Sequence, residues 1–173
     1  MLLERKKLII MCGPAGSGKT TWVQEHASPG VSAHISRDRI RFDMVLPDDY
    51  YFSREDDVYA EFCGEIHDAL HCPWVREVYA DATHLTKKAR EKLIKNIRVP
   101  LETLSIIAVA IRPSVEQCLA QNAQRSGREL VPETVIKNMY SSFEDPWDDN
   151  IEYTEIIYEG NWYNTGEERV DDV

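Results

Sequence analysis

Residues 8–20, LIIMCGPAGSGKT, constrain the fold of this chain more than any other stretch. A short apolar run ends at Gly13, and the spacing Gly-x-x-x-x-Gly-Lys-Thr then closes on Thr20. Glycines let successive backbone N–H groups converge on an anion, and a following helix points its positive dipole end at the same place. A strand that turns into a helix through this spacing is a phosphate-binding P-loop.

The residue types within the P-loop predict separate tasks. We expect Lys19 to reach the β- and γ-phosphates of a nucleotide, and Thr20 to place its hydroxyl on Mg²⁺. The other residues expected to surround the phosphates are Gly13, Ala15, Gly16, Ser17, Gly18 and Thr21. The predicted cofactors are therefore ATP and Mg²⁺.

Length and composition favour one domain inside the cell. The chain has 173 residues, of which 43% are hydrophobic, which is enough for one core and short for two. No apolar run approaches the length of a membrane span, and charges interrupt the N-terminal residues, so neither a membrane segment nor a secretion signal is indicated. The four cysteines show no C-x-x-C pair. We expect a cytoplasmic protein with reduced thiols.

The net charge of −10 is concentrated at one end of the chain. Residues 144–173 contain one Arg and 11 acidic residues, whereas basic and acidic residues balance in 1–143. A balanced body leaves room for a local basic groove, so the acidic total does not exclude a nucleic-acid partner. We expect residues 1–160 to form a single domain and 161–173 to form an acidic C-terminal tail.

Strand and helix patterns alternate after the P-loop. Strands are predicted at 31–36, 75–82 and 101–111, with an edge strand at 152–158. Helices are predicted at 17–27, 55–71, 83–97, 114–124 and 133–143. The near-continuous apolar character of 101–111 is typical of a strand buried on both faces. The pattern predicts an α/β fold, with a parallel sheet of about four to five strands sandwiched between helices.

Residues 35–41, ISRDRIR, place one carboxylate among three arginines directly after the second predicted strand. Open α/β sheets bind ligands at the carboxyl ends of their strands. There, Asp38 could orient the hydroxyl of a phosphoryl acceptor and take its proton, and Arg37 could contact the same acceptor. Arg41, one helical turn on, would be suited to an anion on the acceptor. The alternative is that Asp38 only pairs with Arg41 or caps the turn.

Residues 78–85, VYADATHL, bring a second carboxylate to a strand end. An Asp at this position commonly binds a water of Mg²⁺ in P-loop enzymes, so Asp81 is predicted to share the metal with Thr20. Thr83 could contact the acceptor, as could His84. The alternatives are a helix cap, supplied by Thr83 or Thr86, and an exposed position for His84.

Residues 124–131 form a predicted lid between two helices. Transfer of a γ-phosphoryl group needs cations that approach when both substrates are bound, and Arg125 and Arg128 could supply them. A plain connection with solvated arginines is the alternative. Three aromatic residues in the predicted loop at 45–54 could stack on a terminal base or pack at the edge of the core: Tyr50, Tyr51 and Phe52.

Four stretches together resemble the P-loop kinase family typified by the phage 5′-hydroxyl polynucleotide kinase domain. They are GPAGSGKT, SRDRIR, DATHL with its trailing KKAR, and RSGRELVP with the helix VIKNMYSSFEDP, within about residues 8–147. The resemblance implies a P-loop kinase fold in which Asp38 activates the 5′-hydroxyl and Arg41 engages the acceptor's terminal phosphate. It also implies that Arg125 or Arg128 contacts the donor phosphates. The family pattern has Asn where His84 stands, and the phage enzyme carries a phosphatase domain behind the kinase, so we expect a stand-alone kinase.

The implied activity is ATP-dependent phosphoryl transfer to the 5′-hydroxyl end of DNA or RNA. The same machinery acting on a small hydroxyl compound, such as a nucleoside, sugar, nucleotide-sugar or antibiotic, is the main alternative. A nucleotide-dependent binding or assembly module is a third possibility. Guanine-specific switch proteins are disfavoured, because the sequence lacks N-K-x-D and has no D-x-x-G after the third strand.

Overall fold

Five parallel strands form one sheet in the computed structural model, which describes residues 4–162. The strands are β1 (Lys6–Cys12), β2 (Ser32–Ser36), β3 (Glu77–Asp81), β4 (Leu104–Arg112) and β5 (Glu155–Gly160), in the spatial order β2-β3-β1-β4-β5. The helices are α1 (Lys19–His26), α2 (Arg37–Met44), α3 (Glu55–His71), α4 (Lys87–Asn96), α5 (Val115–Asn122) and α6 (Glu133–Ser141). The predicted parallel sheet between helices is confirmed, and β5 lies at its edge as expected.

Both faces of the sheet are covered. Successive side chains of a strand point to opposite faces. Leu8 and Ile10 pack on one face with Phe62 of α3, whereas Ile9 and Met11 pack on the other face beside α1. The side chains along β4 are almost all buried, which confirms the prediction of a doubly covered strand.

The start of α4 differs from the predicted start at residue 83, because the residue that caps the helix lies three positions later. Thr86 caps α4, because its side chain accepts a hydrogen bond from the Ala89 N–H at 3.2 Å, so the helix begins at Lys87. The backbone carbonyl of Thr83 instead accepts from the Gly13 N–H at 2.8 Å. The loop that carries Thr83 is thereby joined to the P-loop.

A buried ion pair holds α4 against the acidic segment that follows α6. Arg90 is fully buried, and its guanidinium donates to the two carboxylate oxygens of Asp149 at 2.6 and 2.8 Å. Its other N–H groups donate to the carbonyls of His84 and Glu144 at 2.9 and 3.0 Å. The Tyr153 hydroxyl donates to Asp149 at 2.6 Å. At least one acidic residue of this segment, Asp149, therefore has a structural role.

We expect Arg90→Met to lower the free energy of unfolding by about 3–5 kcal/mol, because the Asp149 carboxylate stays buried without its cation. Urea unfolding followed by circular dichroism measures this loss. Lys88→Met, at an exposed position of the same helix, is the control and should stay within about 0.5 kcal/mol of wild type. A loss below about 1 kcal/mol for Arg90→Met would show that the pair is not important for stability.

Trp162, two residues after β5, is anchored to β4 and β5. Its indole N–H donates to the Ala110 carbonyl at 3.0 Å, and its ring lies 5.0 Å from the rings of both Phe143 and Tyr158. The packed structure therefore extends past the predicted domain boundary at residue 160. The rest of the predicted acidic tail, 163–173, lies outside the described residues.

Two further observations concern the helices and the cysteines. Among residues 4–162, no helix combines the length and the apolar character that a membrane crossing requires. The cysteines Cys12, Cys63, Cys72 and Cys118 are free thiols, as the sequence predicted.

Candidate active site

The Lys19 ammonium is held inside the P-loop by the loop's own oxygens. It donates to the carbonyls of Gly13 at 2.9 Å and Pro14 at 2.8 Å. Burial lowers the pKa of Lys19, although the carboxylates of Asp81 and Asp38 oppose that shift. A buried cation surrounded by neutral carbonyls can exchange them for the oxygens of an anion at little desolvation cost.

Two glycines of the loop have no room for a side chain. A Cβ on Gly16, whose φ is +76°, would lie 2.4 Å from the Cys118 carbonyl oxygen. A Cβ on Gly13 would lie 2.4 Å from the carbonyl oxygen of Ile111. The backbone at the end of β4 and that of α5 therefore pack directly against the P-loop and leave space only for glycine at these two positions.

The first turn of α1 leaves its backbone N–H groups available. Gly18 caps the helix in a left-handed conformation without a side-chain hydrogen bond, and the first turn contains no acidic residue. A helix start of this kind presents unpaired N–H groups and a positive dipole end to an anion. Ala15 and Ser17 are buried in the loop, and Thr21 faces the adjacent cleft.

Asp81, at the end of β3, meets the first turn of α1. The Thr20 hydroxyl donates to Asp81 Oδ2 at 2.8 Å, and His34 Nε2 lies 2.8 Å from the same oxygen. Burial alone would raise the pKa of Asp81, but hydrogen bonds from His34 and Thr20 and the charge of Lys19 hold it below its ordinary value. The two residues predicted to hold Mg²⁺ thus lie together, and hydroxyl and carboxylate oxygens beside a phosphate cradle fit that ion.

Asp38 is accessible at the start of α2. Ser36 caps this helix by accepting from the Arg39 N–H at 3.3 Å, which places Asp38 in the first turn directly after β2. The Asp38 side chain is 70% exposed and forms an ion pair with Arg41. The pairing that the sequence offered as an alternative is therefore present, and the carboxylate is still open to a ligand.

Glu55, at the start of α3, engages the arginines on either side of Asp38. Arg41 donates to its two carboxylate oxygens at 3.0 and 2.9 Å, and Arg37 pairs with it as well. Burial opposes the shift, but the hydrogen bonds to Glu55 and Tyr51 raise the pKa of Arg41. Arg41 is buried and ties α2 to α3, so its predicted contact with an acceptor anion would require a rearrangement of these bonds.

His84 is buried, which contradicts the expectation of an exposed position. Its Nδ1 lies 2.8 Å from the Met11 carbonyl, so Nδ1 carries the proton and donates, and Nε2 has no partner among residues 4–162. Burial lowers the pKa of His84 to about 4. The loop after β3 turns this ring under the P-loop strand, and the backbone of His84 adopts a positive φ of 38° to do so.

The buried His84 predicts a loss of stability in acid. Its pKa of about 4 is below the unfolded value, so the native state binds fewer protons between these values and its stability falls as pH drops through them. We expect the loss from this residue between pH 7 and pH 4.5 to be about 2 kcal/mol. His84→Asn should reduce the pH dependence of the unfolding free energy by that amount, as measured by urea unfolding at both pH values. His71→Asn, at an exposed ring, is the control, and a slope unchanged in His84→Asn would contradict the prediction.

Asn122 joins the two ends of the predicted lid. Its side-chain amide donates to the Val131 carbonyl at 2.7 Å and accepts from the Val131 N–H at 3.0 Å, and the residue is buried at the end of α5. These two bonds hold residues 122 and 131 together at the base of the predicted lid. No sequence motif marked Asn122, because its partner lies across the loop.

The two lid arginines face different surroundings. Arg125 lines a cleft of about 630 Å³ beside the P-loop, together with Ser17, Gly18 and Gln121. Arg128 instead donates to the Val45 carbonyl at 3.0 Å, and its guanidinium lies 4.8 Å from the centre of the Phe42 ring. The lid thus spans the gap between the P-loop cleft and the end of α2.

The comparison with known families matches residues 8–146 to the family described as AAA domain. The chain belongs to this AAA-domain family. The match begins in the P-loop strand and ends after α6, so it includes every predicted site residue of this AAA-domain protein. A comparison with curated proteins found no match.

Solved structures share the fold of this AAA-domain protein. A subunit of a Pnkp1/Rnl/Hen1 RNA repair complex has a TM-score of 0.63 at 18% identity, and the match covers 81% of this chain and 44% of that subunit. A fungal RNA kinase has a TM-score of 0.58 at 16% identity, with 95% and 81% covered. A gluconokinase from Sinorhizobium meliloti 1021 has a TM-score of 0.55 at 17% identity, with 90% and 83% covered. The AAA-domain protein therefore has the α/β fold of P-loop kinases.

Proposed function

We propose that this AAA-domain protein is a kinase that transfers the γ-phosphoryl group of ATP to the 5′-hydroxyl end of DNA or RNA. The observation that carries the proposal is the position of Asp38, an exposed carboxylate at the same edge of the sheet as Lys19 and Asp81. A phosphoryl acceptor must be aimed in line at the γ-phosphorus and must lose a proton. Asp38 can orient the hydroxyl and accept that proton.

The donor side is assigned to the P-loop. The N–H groups at the start of α1 and the ammonium of Lys19 would bind the phosphates, while Thr20 and Asp81 would hold Mg²⁺. When bound, Mg²⁺ would neutralise charge on the phosphate oxygens. Arg125 lines the cleft beside the loop, so we assign the phosphate-contacting role of the lid to Arg125 and a lid-closing role to Arg128.

The acceptor side is assigned to the start of α2 and the loop after β3. Arg37 and Arg41 flank Asp38, and Thr83 follows Asp81 in a loop that is bonded to the P-loop. These residues are the proposed acceptor contacts. A 5′-hydroxyl end is supported by the S-R-D-x-x-R block and by the fold shared with proteins named as RNA kinase and RNA repair complex.

A small hydroxyl compound is the second candidate acceptor. The gluconokinase shares the fold to a similar extent, and Lys19, Asp38 and Asp81 would keep the same tasks for a sugar acceptor. The two candidates differ in what surrounds the reacting hydroxyl and not in the reacting groups themselves.

Phosphate transfer from γ-labelled ATP tests the proposal directly. The acceptors are 5′-hydroxyl DNA and RNA oligonucleotides in one set, and nucleosides, gluconate and other sugars in a parallel set. We expect label at the oligonucleotide 5′-end, with none after EDTA removes Mg²⁺. Label on a small molecule alone would overturn the polynucleotide assignment, and label on no acceptor would favour the binding-module alternative.

A further inference from the structure

We propose that Tyr50, Tyr51 and Phe52 form an aromatic platform that stacks on the nucleobase of the acceptor's 5′-terminal nucleotide. This inference rests on the proposed function and names the part of the acceptor that the site would recognise. The platform lies in the loop between α2 and α3.

The platform is exposed, although its rings hold one another in place. Tyr50 is 73% exposed and Phe52 is 50% exposed. The Phe52 ring lies 4.9 Å from the Tyr51 ring and 5.9 Å from the Tyr50 ring, both in edge-to-face arrangements. Packing against the core therefore buries only part of these rings, and much of their apolar surface is exposed to solvent.

A single arginine joins the platform to the proposed catalytic carboxylate. The Arg41 guanidinium lies 5.0 Å from the centre of the Tyr51 ring and 5.2 Å from that of Phe52, and the same guanidinium pairs with Asp38. One ribose separates the base of a nucleotide from its 5′-hydroxyl. A nucleotide whose hydroxyl meets Asp38 can therefore bring its base to the platform.

The acidic residues that precede the platform favour a base over a phosphate group at that position. Asp48 and Asp49 are exposed immediately before Tyr50, and they would repel phosphate groups. A base carries no net charge and every base has a flat π-face, so stacking on aromatic side chains tolerates this acidic border. The neutral rings beside Asp38 are thus matched to the terminal base, whereas the two cations that contact them, Arg41 and Arg128, would suit a phosphate group of the acceptor.

The lid also contacts this cluster. The Arg128 guanidinium lies 5.9 Å from the centre of the Tyr51 ring and donates to the Val45 carbonyl at the end of α2. A base seated on the platform would lie beside the segment on which Arg128 closes. Occupation of the platform and closure of the lid would then occur at adjoining surfaces.

The test compares two oligonucleotide acceptors that differ only in the terminal base. One carries an ordinary 5′-terminal nucleotide and the other a tetrahydrofuran residue, which keeps the 5′-hydroxyl and the phosphate. We expect the double substitution Tyr50→Ala and Phe52→Ala to raise KM for the ordinary acceptor by about 5- to 100-fold and to change KM for the abasic acceptor much less. In the wild-type protein, KM for the abasic acceptor should already be raised.

Trp74→Ala is the matched control. Trp74 is 70% exposed and precedes β3. It therefore lies at the amino-terminal ends of the parallel strands, whereas Asp38 lies at their carboxyl-terminal ends. This variant should keep wild-type KM values for both acceptors, and thermal unfolding checks that all variants are folded.

Two kinds of result would overturn the platform. An equal rise in KM for both acceptors would show that the rings only support the site, and no rise for either would show that the acceptor does not use them, so that this surface serves another partner or a second copy. Transfer to oligonucleotides by the wild-type protein would persist in both cases. Absence of any such transfer would overturn the proposed function itself, and the platform with it.

Discussion

Replacing Asp38 by Asn is expected to lower kcat/KM for phosphoryl transfer by about 10²–10⁴-fold, because the acceptor hydroxyl loses the group that orients it and takes its proton. Asn has nearly the same shape and its side-chain oxygen can still accept a hydrogen bond from Arg41. Glu55 continues to hold Arg41 through two hydrogen bonds, so the buried cation is not left unpaired. Steady-state transfer and ATP binding by calorimetry measure the two effects separately.

The expected signature of Asp38→Asn is lost transfer with ATP affinity nearly unchanged. Asp43→Asn is the matched control, because it removes the same charge from an exposed position of the same helix. A comparable loss of ATP affinity in Asp38→Asn would make Asp38 a structural residue. Transfer close to wild type would remove it from the acceptor site.

Replacing Lys19 by Met is expected to reduce transfer by at least about 10²–10³-fold, because the donor phosphates lose a preorganised cation in a site that excludes water. ATP affinity should fall as well, which distinguishes this variant from Asp38→Asn. Met fills a similar volume, and the carbonyls of Gly13 and Pro14 that lose their donor lie at the site itself. The same two measurements apply.

Lys137→Met is the control for Lys19→Met, since it removes a lysine from the exposed face of α6. It should leave both transfer and ATP binding at wild-type values. Turnover of Lys19→Met within about tenfold of wild type would contradict the assignment of the donor site to the P-loop. The two variants together separate the donor side of the proposed reaction from the acceptor side.

Local pattern was enough to predict the P-loop, the strands and the positions of Asp38 and Asp81. Buried residues recur with the period of a strand or of a helix, so a short stretch of sequence is enough to predict each element. The turn after β1 needs backbone conformations that few residues other than glycine adopt, so the glycine spacing is enough to predict the P-loop. The alternatives for Asp38 show the limit of that reasoning. A carboxylate three residues before an arginine on a helix can pair with it and still face a ligand, and the observed exposure of Asp38 was needed to show that both are compatible.

Contacts between residues distant in the chain were decided by the tertiary structure alone. His34 reaches Asp81 because β2 and β3 are neighbours in a register that pairs Ser36 with Asp81. Glu55 is one of three consecutive acidic residues in the first turn of α3, and the packing of α3 on α2 turns it toward Arg41.

The burial of His84 and the separation of Arg125 from Arg128 have the same origin. The order of parallel strands and the way the crossover segments pack on the sheet determine which side chains meet, and neither is encoded in the spacing of neighbouring residues. The sequence by itself therefore determined the phosphate-binding loop and the strand ends that carry the candidate carboxylates. Only the tertiary structure decided which distant side chains surround them, because those contacts arise when the sheet and its covering helices come together.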